Sequence, residues 1–317
     1  MSFNFSLCPA ILLLCAACSR PPTATVAPKI AAPTGAIALA ADVSPATAAL
    51  RRDREAMDEG LRLALADFRD RFKCNAISGC PSQDVLVGFG WTARPYLEQV
   101  FGAASAQASY RGRAIRTLAE LRDPQALPLL VKTLGDRDPE TRAYAIYGVG
   151  LLDAREHLVK IQNAALEDDT TYTAPCRLSA WWLLAKWNQP AASARFIELL
   201  RTVSQQQMGG PALTWGIELC GRSDAPDCSH LMPAIAQHPA FTVRRAVVHA
   251  MASRPVAAYS AALVQLSGDP IGTIARRAEE GLQTISGRSD LHGHSVWASW
   301  CLQNHCDQAL PTDATPQ

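Results

Sequence analysis

Neither an excess of charge of one sign nor a long apolar run occurs in this chain. Its 30 Lys and Arg are balanced by 29 Asp and Glu, for a formal net charge of +1. That balance excludes the strongly basic groove that nucleic acid requires, and equally a polybasic membrane patch. The apolar run at residues 11–17 is too short to cross a bilayer. Also missing are a phosphate-binding loop, a Gly-x-Ser-x-Gly elbow and a His-Glu-x-x-His pair, each of which would put a specific catalytic group at a specific turn or helix face. The sequence therefore predicts no catalytic residue and no cofactor.

What is present is a register. Arg113, Arg142, Arg177, Ala212, Arg245 and Arg277 lie roughly 29 to 35 residues apart, inside the range of helical repeats. After each one, apolar or small residues fall at the next position and then three, four and seven residues further on, the spacing of one helix face. The set after Arg113 is Ala114, Thr117, Leu118 and Leu121; that after Arg245 is Ala246, His249, Ala250 and Ser253. Several of these helices follow another of the same period, such as Leu127, Leu130, Val131 and Leu134, or Phe196, Leu199, Leu200 and Val203. Asp138-Pro139, His238-Pro239 and Asp269-Pro270 put a turn or capping residue before proline at the entry to the second helix, where proline costs least. Each unit reads as helix, turn, helix. None could bury its apolar face alone, so neighbours must stack.

On the Asp-Pro-x-x-Arg-Ala motif at residues 138–143 and its looser copies at 239–246 and 270–278, the repeat segment resembles HEAT-like repeats of the short bacterial type. The resemblance implies an all-α fold, an α-solenoid of stacked helix-turn-helix repeats over residues 110–286. It also implies that the repeated arginines pair with turn aspartates of neighbouring units in a ladder. The sharper alternative is that Arg244, Arg245, Arg276 and Arg277 display cations on the concave wall. The di-iron hydroxylases of this class carry His-Glu pairs in each repeat, and the chain has no His-Glu dipeptide. No residue set of the bilin lyases of this class can be matched here.

Residues 11–17 end in Ala16-Ala17 immediately before Cys18 and resemble a bacterial lipoprotein signal. That resemblance implies cleavage of a signal peptide at residues 1–17, acylation of Cys18 and, with Ser19 following, an outer-membrane location facing the periplasm; ordinary secretion is the alternative. The Ala/Pro/Thr-rich stretch 18–49 reads as a disordered tether. Next comes an amphipathic helix at residues 50–72, with Leu50, Met57, Leu61, Leu65, Phe68 and Phe72 on one stripe. It opens an N-terminal helical cap at residues 50–109 that closes the stack; a dimerisation helix is the alternative.

Close cysteine pairs in an exported protein point to disulfides, here Cys74 with Cys80, Cys220 with Cys228 and Cys301 with Cys306. The last pair is five residues apart, so bonding requires the helix to end between them. Cys176 stands alone, either as a buried thiol or as a reactive one. Residues 287–317 read as a C-terminal cap and tail; the order Ser286-Gly287, loop, Trp297-x-x-Trp300 resembles the closing segment of HEAT-like proteins, which implies that Trp297 and Trp300 seal the last repeat. His292, His294, Cys301, His305 and Cys306 in this segment offer an alternative metal or thiol-redox site. Trp181 and Trp182 fit the core stripe, whereas Trp187 and Trp215 lie off it and are candidate anchors for a partner. The function that follows is a scaffold, anchored to the membrane by its lipid, that holds another protein in the bacterial envelope.

Overall fold

The computed structural model describes residues 45–70, 73–74, 80–103, 108–168, 172–206 and 210–306. The chain divides into two units, residues 1–50 and 51–317. Of the first, only the opening of helix α1 (Pro45–Arg69) is described. In the second unit, α2 (Pro81–Gly88) and α3 (Arg94–Gly102) precede α4 (Ala108–Glu120), α5 (Leu127–Thr133), α6 (Pro139–Leu151) and α7 (Leu158–Ala165). Then follow α8 (Ala174–Lys186), α9 (Ala192–Gln205), α10 (Pro211–Cys220), α11 (Met232–Ile235), α12 (Phe241–Ser253), α13 (Ser260–Ser267), α14 (Gly272–Ser286) and α15 (His294–Gln303). No strand occurs among the described residues.

The fold is an all-α solenoid of two layers. Helices α4, α6, α8, α10, α12 and α14 pack each on the next, and α5, α7, α9, α11 and α13 pack against their flanks. All six register positions lie on the first layer. Their stripes are buried in α4, α6 and α10, where Ala114, Thr117, Leu118, Ala143, Ile146, Tyr147, Leu213 and Ile217 are nearly inaccessible. Burying a large apolar side chain of this kind stabilises by about 1.5–3 kcal/mol. The fit on α6 is close: a Cβ on Gly150 would stand 2.7 Å from Leu183 Cδ1 and 2.9 Å from Trp182, so those side chains would have to shift to admit it.

Local chemistry sets the helix starts. Asp138 caps α6 by accepting from Thr141 N–H at 2.9 Å, with Pro139 at the first position. At the two looser copies the helix starts later, at Phe241 and Gly272. There the residue before proline closes a local turn instead: His238 Nδ1 accepts from Ala240 N–H at 3.1 Å, and Asp269 from Ile271 N–H at 2.9 Å.

Two stripes are corrected. On α12 the buried residues are Val243, Ala246, Val247, Val248, Ala250 and Met251, while His249 and Ser253 face outward. The helix is turned so that its valines meet the core, with the polar pair on the opposite face. On α1, Leu61, Ala64, Leu65 and Phe68 are buried but Met57 is 37% exposed. Phe72 falls outside the described residues.

The ladder forms, although mostly on arginines beside the register. Arg111 pairs with Asp136, Arg142 with Glu167 at 2.6 Å, and Arg244 with Asp269 at 2.6 Å, each carboxylate 25 residues further along the chain. Arg142 and Arg244 also donate to a carbonyl six residues back, Asp136 O at 2.8 Å and His238 O at 3.1 Å. One guanidinium thus ties a helix to its own entry turn and to the next one. Arg113 does something else: it donates to Cys74 O at 3.0 Å and stacks over Phe68 and Tyr110, holding α1 to the first repeat.

Candidate functional site

The inner face of the first layer is not an open groove along its whole length. On α6, every residue from Ala143 to Gly150 is buried, because neighbouring helices cover what would be its exposed side. Trp215 of α10 lies edge-on to Tyr144 at 4.8 Å and to Tyr147 at 5.3 Å, and Tyr147 meets Trp182 of α8 at 5.5 Å. Cations cap this aromatic cluster. Arg116 of α4 lies 5.2 Å over Trp215, and Arg222 lies 4.8 Å over Tyr147. Both are favourable electrostatic positions over ring faces.

The same two arginines make a crossed pair of contacts. Arg116 meets Glu218 at 2.8 Å, while Arg222 approaches Glu120 at 4.0 Å. Burial works against the Arg116 charge, but Glu218, Tyr144 and Glu120 outweigh it and hold its pKa above the ordinary arginine value. Burial, reinforced by Glu120, pushes the Tyr147 phenol well up, so it remains protonated and donates to Glu120. Lys186 adds an ion pair to Asp224 at 3.1 Å. The cluster links α4, α6, α8 and α10 through side chains.

Beside this cluster a cleft of about 810 Å³ opens between the start of α2, the end of α10, and α12. Its walls carry Asp84, Arg116, Glu218, Thr242, Arg245 and His249, a mixed and mainly polar set. Desolvation lowers the pKa of His249 below the usual histidine value, and Arg277 and Arg245 add to the effect. The imidazole is therefore neutral at physiological pH and can both donate and accept. The size of the cleft lies in the range of pockets that hold small ligands.

Several sequence-derived candidates lie elsewhere. Trp187 and Trp215 are buried, 4% and 5% exposed, so neither is a surface anchor. Their indole N–H groups are satisfied inside the protein, Trp187 by Asp153 at 2.8 Å and Trp215 by Ser179 at 2.7 Å. Trp181, read as core, packs against the core but is only partly buried, at its edge beside Arg177. Arg244 does not display its charge, being consumed by Asp269. Arg276 is exposed, Arg277 pairs with Glu280 at 2.6 Å, and Arg245 lines the cleft.

The structure bonds Cys74 to Cys80 and Cys220 to Cys228. It does not make the Cys301–Cys306 bridge, since Cys301 is a thiol. Helix α15 does end between them, at Gln303, but His305 then takes a left-handed conformation and Cys306 is buried. Cys176 is a buried thiol, its pKa pushed up to about 11 by burial, which leaves it protonated and inert. The C-terminal histidines do not converge either. His294 Nδ1 turns toward α13, 3.0 Å from Val264 O and 3.1 Å from Ser267 Oγ. His292 lies near Glu279, and His305 is exposed. No group of three or more His, Cys, Asp or Glu placed to hold a metal exists among the described residues. Trp297 is buried, with Trp300 edge-on at 5.5 Å, where α15 packs on α13. Cys18 lies outside the described residues.

Reading the sequence alone missed Arg116, Glu120, Glu218 and Arg222. A signal was there: Arg116 and Glu120 are four apart on α4, and Glu218 and Arg222 are four apart in the reverse order at the end of α10.

A family model described as HEAT repeats matches residues 97–175. Among solved structures, human deoxyhypusine hydroxylase in complex with glycerol is 16% identical, with a TM-score of 0.39, over 74% of this chain and 99% of that one. No curated protein matches the chain.

Proposed function

We propose that this HEAT-like repeat protein is a membrane-anchored scaffold of the bacterial envelope that acts by binding another protein rather than by catalysis. The observation that carries the binding reading is the 810 Å³ cleft, open and lined by both charged side chains and apolar surface, held beside a cross-braced aromatic cluster. A frame that does not have to be ordered on binding loses less entropy, which favours affinity. The anchor rests on the sequence: residues 11–17 before Cys18, Ser19 after it, and the Ala/Pro/Thr-rich stretch that follows. Several acyl chains on one cysteine would hold the protein stably at the outer membrane, facing the periplasm.

The two parts are tested separately. Growth with labelled palmitate should label the wild type and not Cys18→Ala, which should leave the membrane fraction; label retained in the variant rules out Cys18 as the anchor. A photo-crosslinking residue at Thr242, in the cleft, should give discrete adducts in cells. The same residue at exposed Val159, on the outer layer, should not. Adducts from Val159 alone would move the binding surface off the cleft.

A further inference from the structure

Both disulfides among the described residues border the cleft. Cys80 and Pro81 line it on the α2 side, while Gly221 and Arg222, which follow Cys220, line it on the α10 side. The two bridges differ in the properties that govern exchange with a thiol. Cys80 is half-buried and stands at the N-cap of α2, where the helix dipole favours a thiolate. Its partner Cys74 is buried, 5% exposed. Cys220 and Cys228 are both buried, 4% and 2% exposed, and Cys220 is the last residue of α10, the end of a helix that disfavours negative charge.

The neighbours of the sulfurs differ in the same sense. Ser82 Oγ, itself buried, lies 3.2 Å from Cys74 Sγ and 3.5 Å from Cys80 Sγ, so one hydroxyl can donate to whichever sulfur becomes negative. Arg113 donates to Cys74 O at 3.0 Å and adds positive charge beside that residue. Asp84, in the first turn of α2, opposes these effects in part, while Lys73 and Asp67 neutralise one another at 2.5 Å. At the other bridge, Cys228 Sγ lies 3.4 Å from Pro226 O, an acceptor that opposes a thiolate. The charged residues lining the cleft are Arg116, Arg222 and Arg245 against Asp84 and Glu218, so an incoming thiolate meets no net repulsion.

We infer that Cys74–Cys80 is a thiol-exchange site, attacked at Cys80 Sγ from the cleft by a dithiol, whereas Cys220–Cys228 is a structural bridge. This chemistry goes beyond holding a partner and does not depend on what else the cleft binds. In the first step a thiolate of the dithiol bonds to Cys80 Sγ, the Cys74–Cys80 bond breaks, and Cys74 leaves as a thiolate that accepts from the Ser82 hydroxyl and then takes a proton. In the second, the other sulfur of the dithiol attacks the first, and Cys80 leaves as a thiolate at the start of α2 and is protonated in turn. The dithiol loses two electrons and two protons and becomes a disulfide; Cys74 and Cys80 gain them as two thiols. Access and a stabilised leaving thiolate both speed such exchange, and only this bridge has both.

The test uses the native full-length chain and two probes, dithiothreitol and glutathione, with acid quenching, alkylation and peptide mapping at each time point. Dithiothreitol should open Cys74–Cys80 at least about tenfold faster than Cys220–Cys228. Glutathione, which has one thiol, should be trapped as a mixed disulfide on Cys80 and leave Cys74 as the alkylated thiol. Ser82→Ala should slow opening of the first bridge about three- to tenfold and leave the rate of the second as it was. Equal rates for the two bridges, or opening only on unfolding, overturn the inference. Glutathione on Cys74 overturns the direction of attack, and an unslowed first bridge in Ser82→Ala overturns the role given to its hydroxyl. The comparison of the two bridges is made within one wild-type molecule, so misfolding of the variant would not obscure it.

Discussion

Arg116 on α4 and Glu218 on α10 pair at 2.8 Å although α6 and α8 lie between their helices in the stack. A straight stack could not make that contact. The solenoid turns tightly enough for its first and fourth inner helices to meet through side chains, and the aromatic cluster fills the space they enclose. Curvature is thereby fixed by specific side chains as well as by the packing of each helix on the next.

The brace predicts a coupling between distant helices. Arg116→Ala or Glu218→Ala should each destabilise by about 1–3 kcal/mol, since each strands a partly buried partner. A double-mutant cycle in urea should return an interaction of about 0.5–3 kcal/mol. Strict additivity would mean that the pair does not hold the inner face together.

Asp269 gives a pH signature. Burial raises its pKa, but the bonds from Arg244 and from the Ile271 N–H outweigh it, leaving the folded value below that of an unfolded chain. Stability from this group is present above the unfolded carboxylate value, about 4, and disappears as pH falls through the lower folded value. The stability gap between wild type and Asp269→Asn should be widest near neutrality and should close on acidification. A gap independent of pH between 3 and 7 contradicts the ladder's role.

Gly221 sits where α10 ends against α12, and a Cβ there would stand 2.8 Å from Ala250 Cα. Backbone cannot swing aside like a side-chain end, so Gly221→Ala should cost about 1–3 kcal/mol, despite alanine's better helix propensity. Thermal unfolding checks this, and an unchanged or higher Tm would show that the helices are further apart.

Thiol chemistry should separate the cysteines. Alkylation of the native protein should modify Cys301, which is partly exposed, and leave Cys176 untouched until unfolding. Peptide mapping should recover Cys74–Cys80 and Cys220–Cys228 as linked pairs. Reducing either short loop should cost about 2–3 kcal/mol in the chain-entropy account. A linked Cys301–Cys306 peptide would show that the C-terminal segment adopts another arrangement.

The candidate site was less legible than the repeats. Trp187 and Trp215 fall off the apolar stripe of their helices, which reads as exposure for an isolated helix. Both are buried because something covers them from outside that stripe: Asp153 meets the Trp187 indole, and Arg116, Tyr144 and Tyr147 surround Trp215. His249 and Ser253 fit the stripe by count and still face the cleft, because the alternative set Val243, Val247 and Met251 is more apolar and takes the core. Period alone does not choose between two faces of a helix that is apolar on both.

The sequence by itself determined the helical class, the two-helix unit, the repeat register and the near-neutral charge balance. These are properties of residues close together in the chain, where a period of 3.6 and a capping residue act directly. Only the tertiary structure decided which charges meet. The mirrored order of Arg116, Glu120, Glu218 and Arg222 acquires meaning once the rotation from each repeat to the next has accumulated over four inner helices. The same accumulated turn brings α2 beside α10 and α12 and so creates the cleft. Small rotations that no single repeat encodes visibly add up to the geometry of the site.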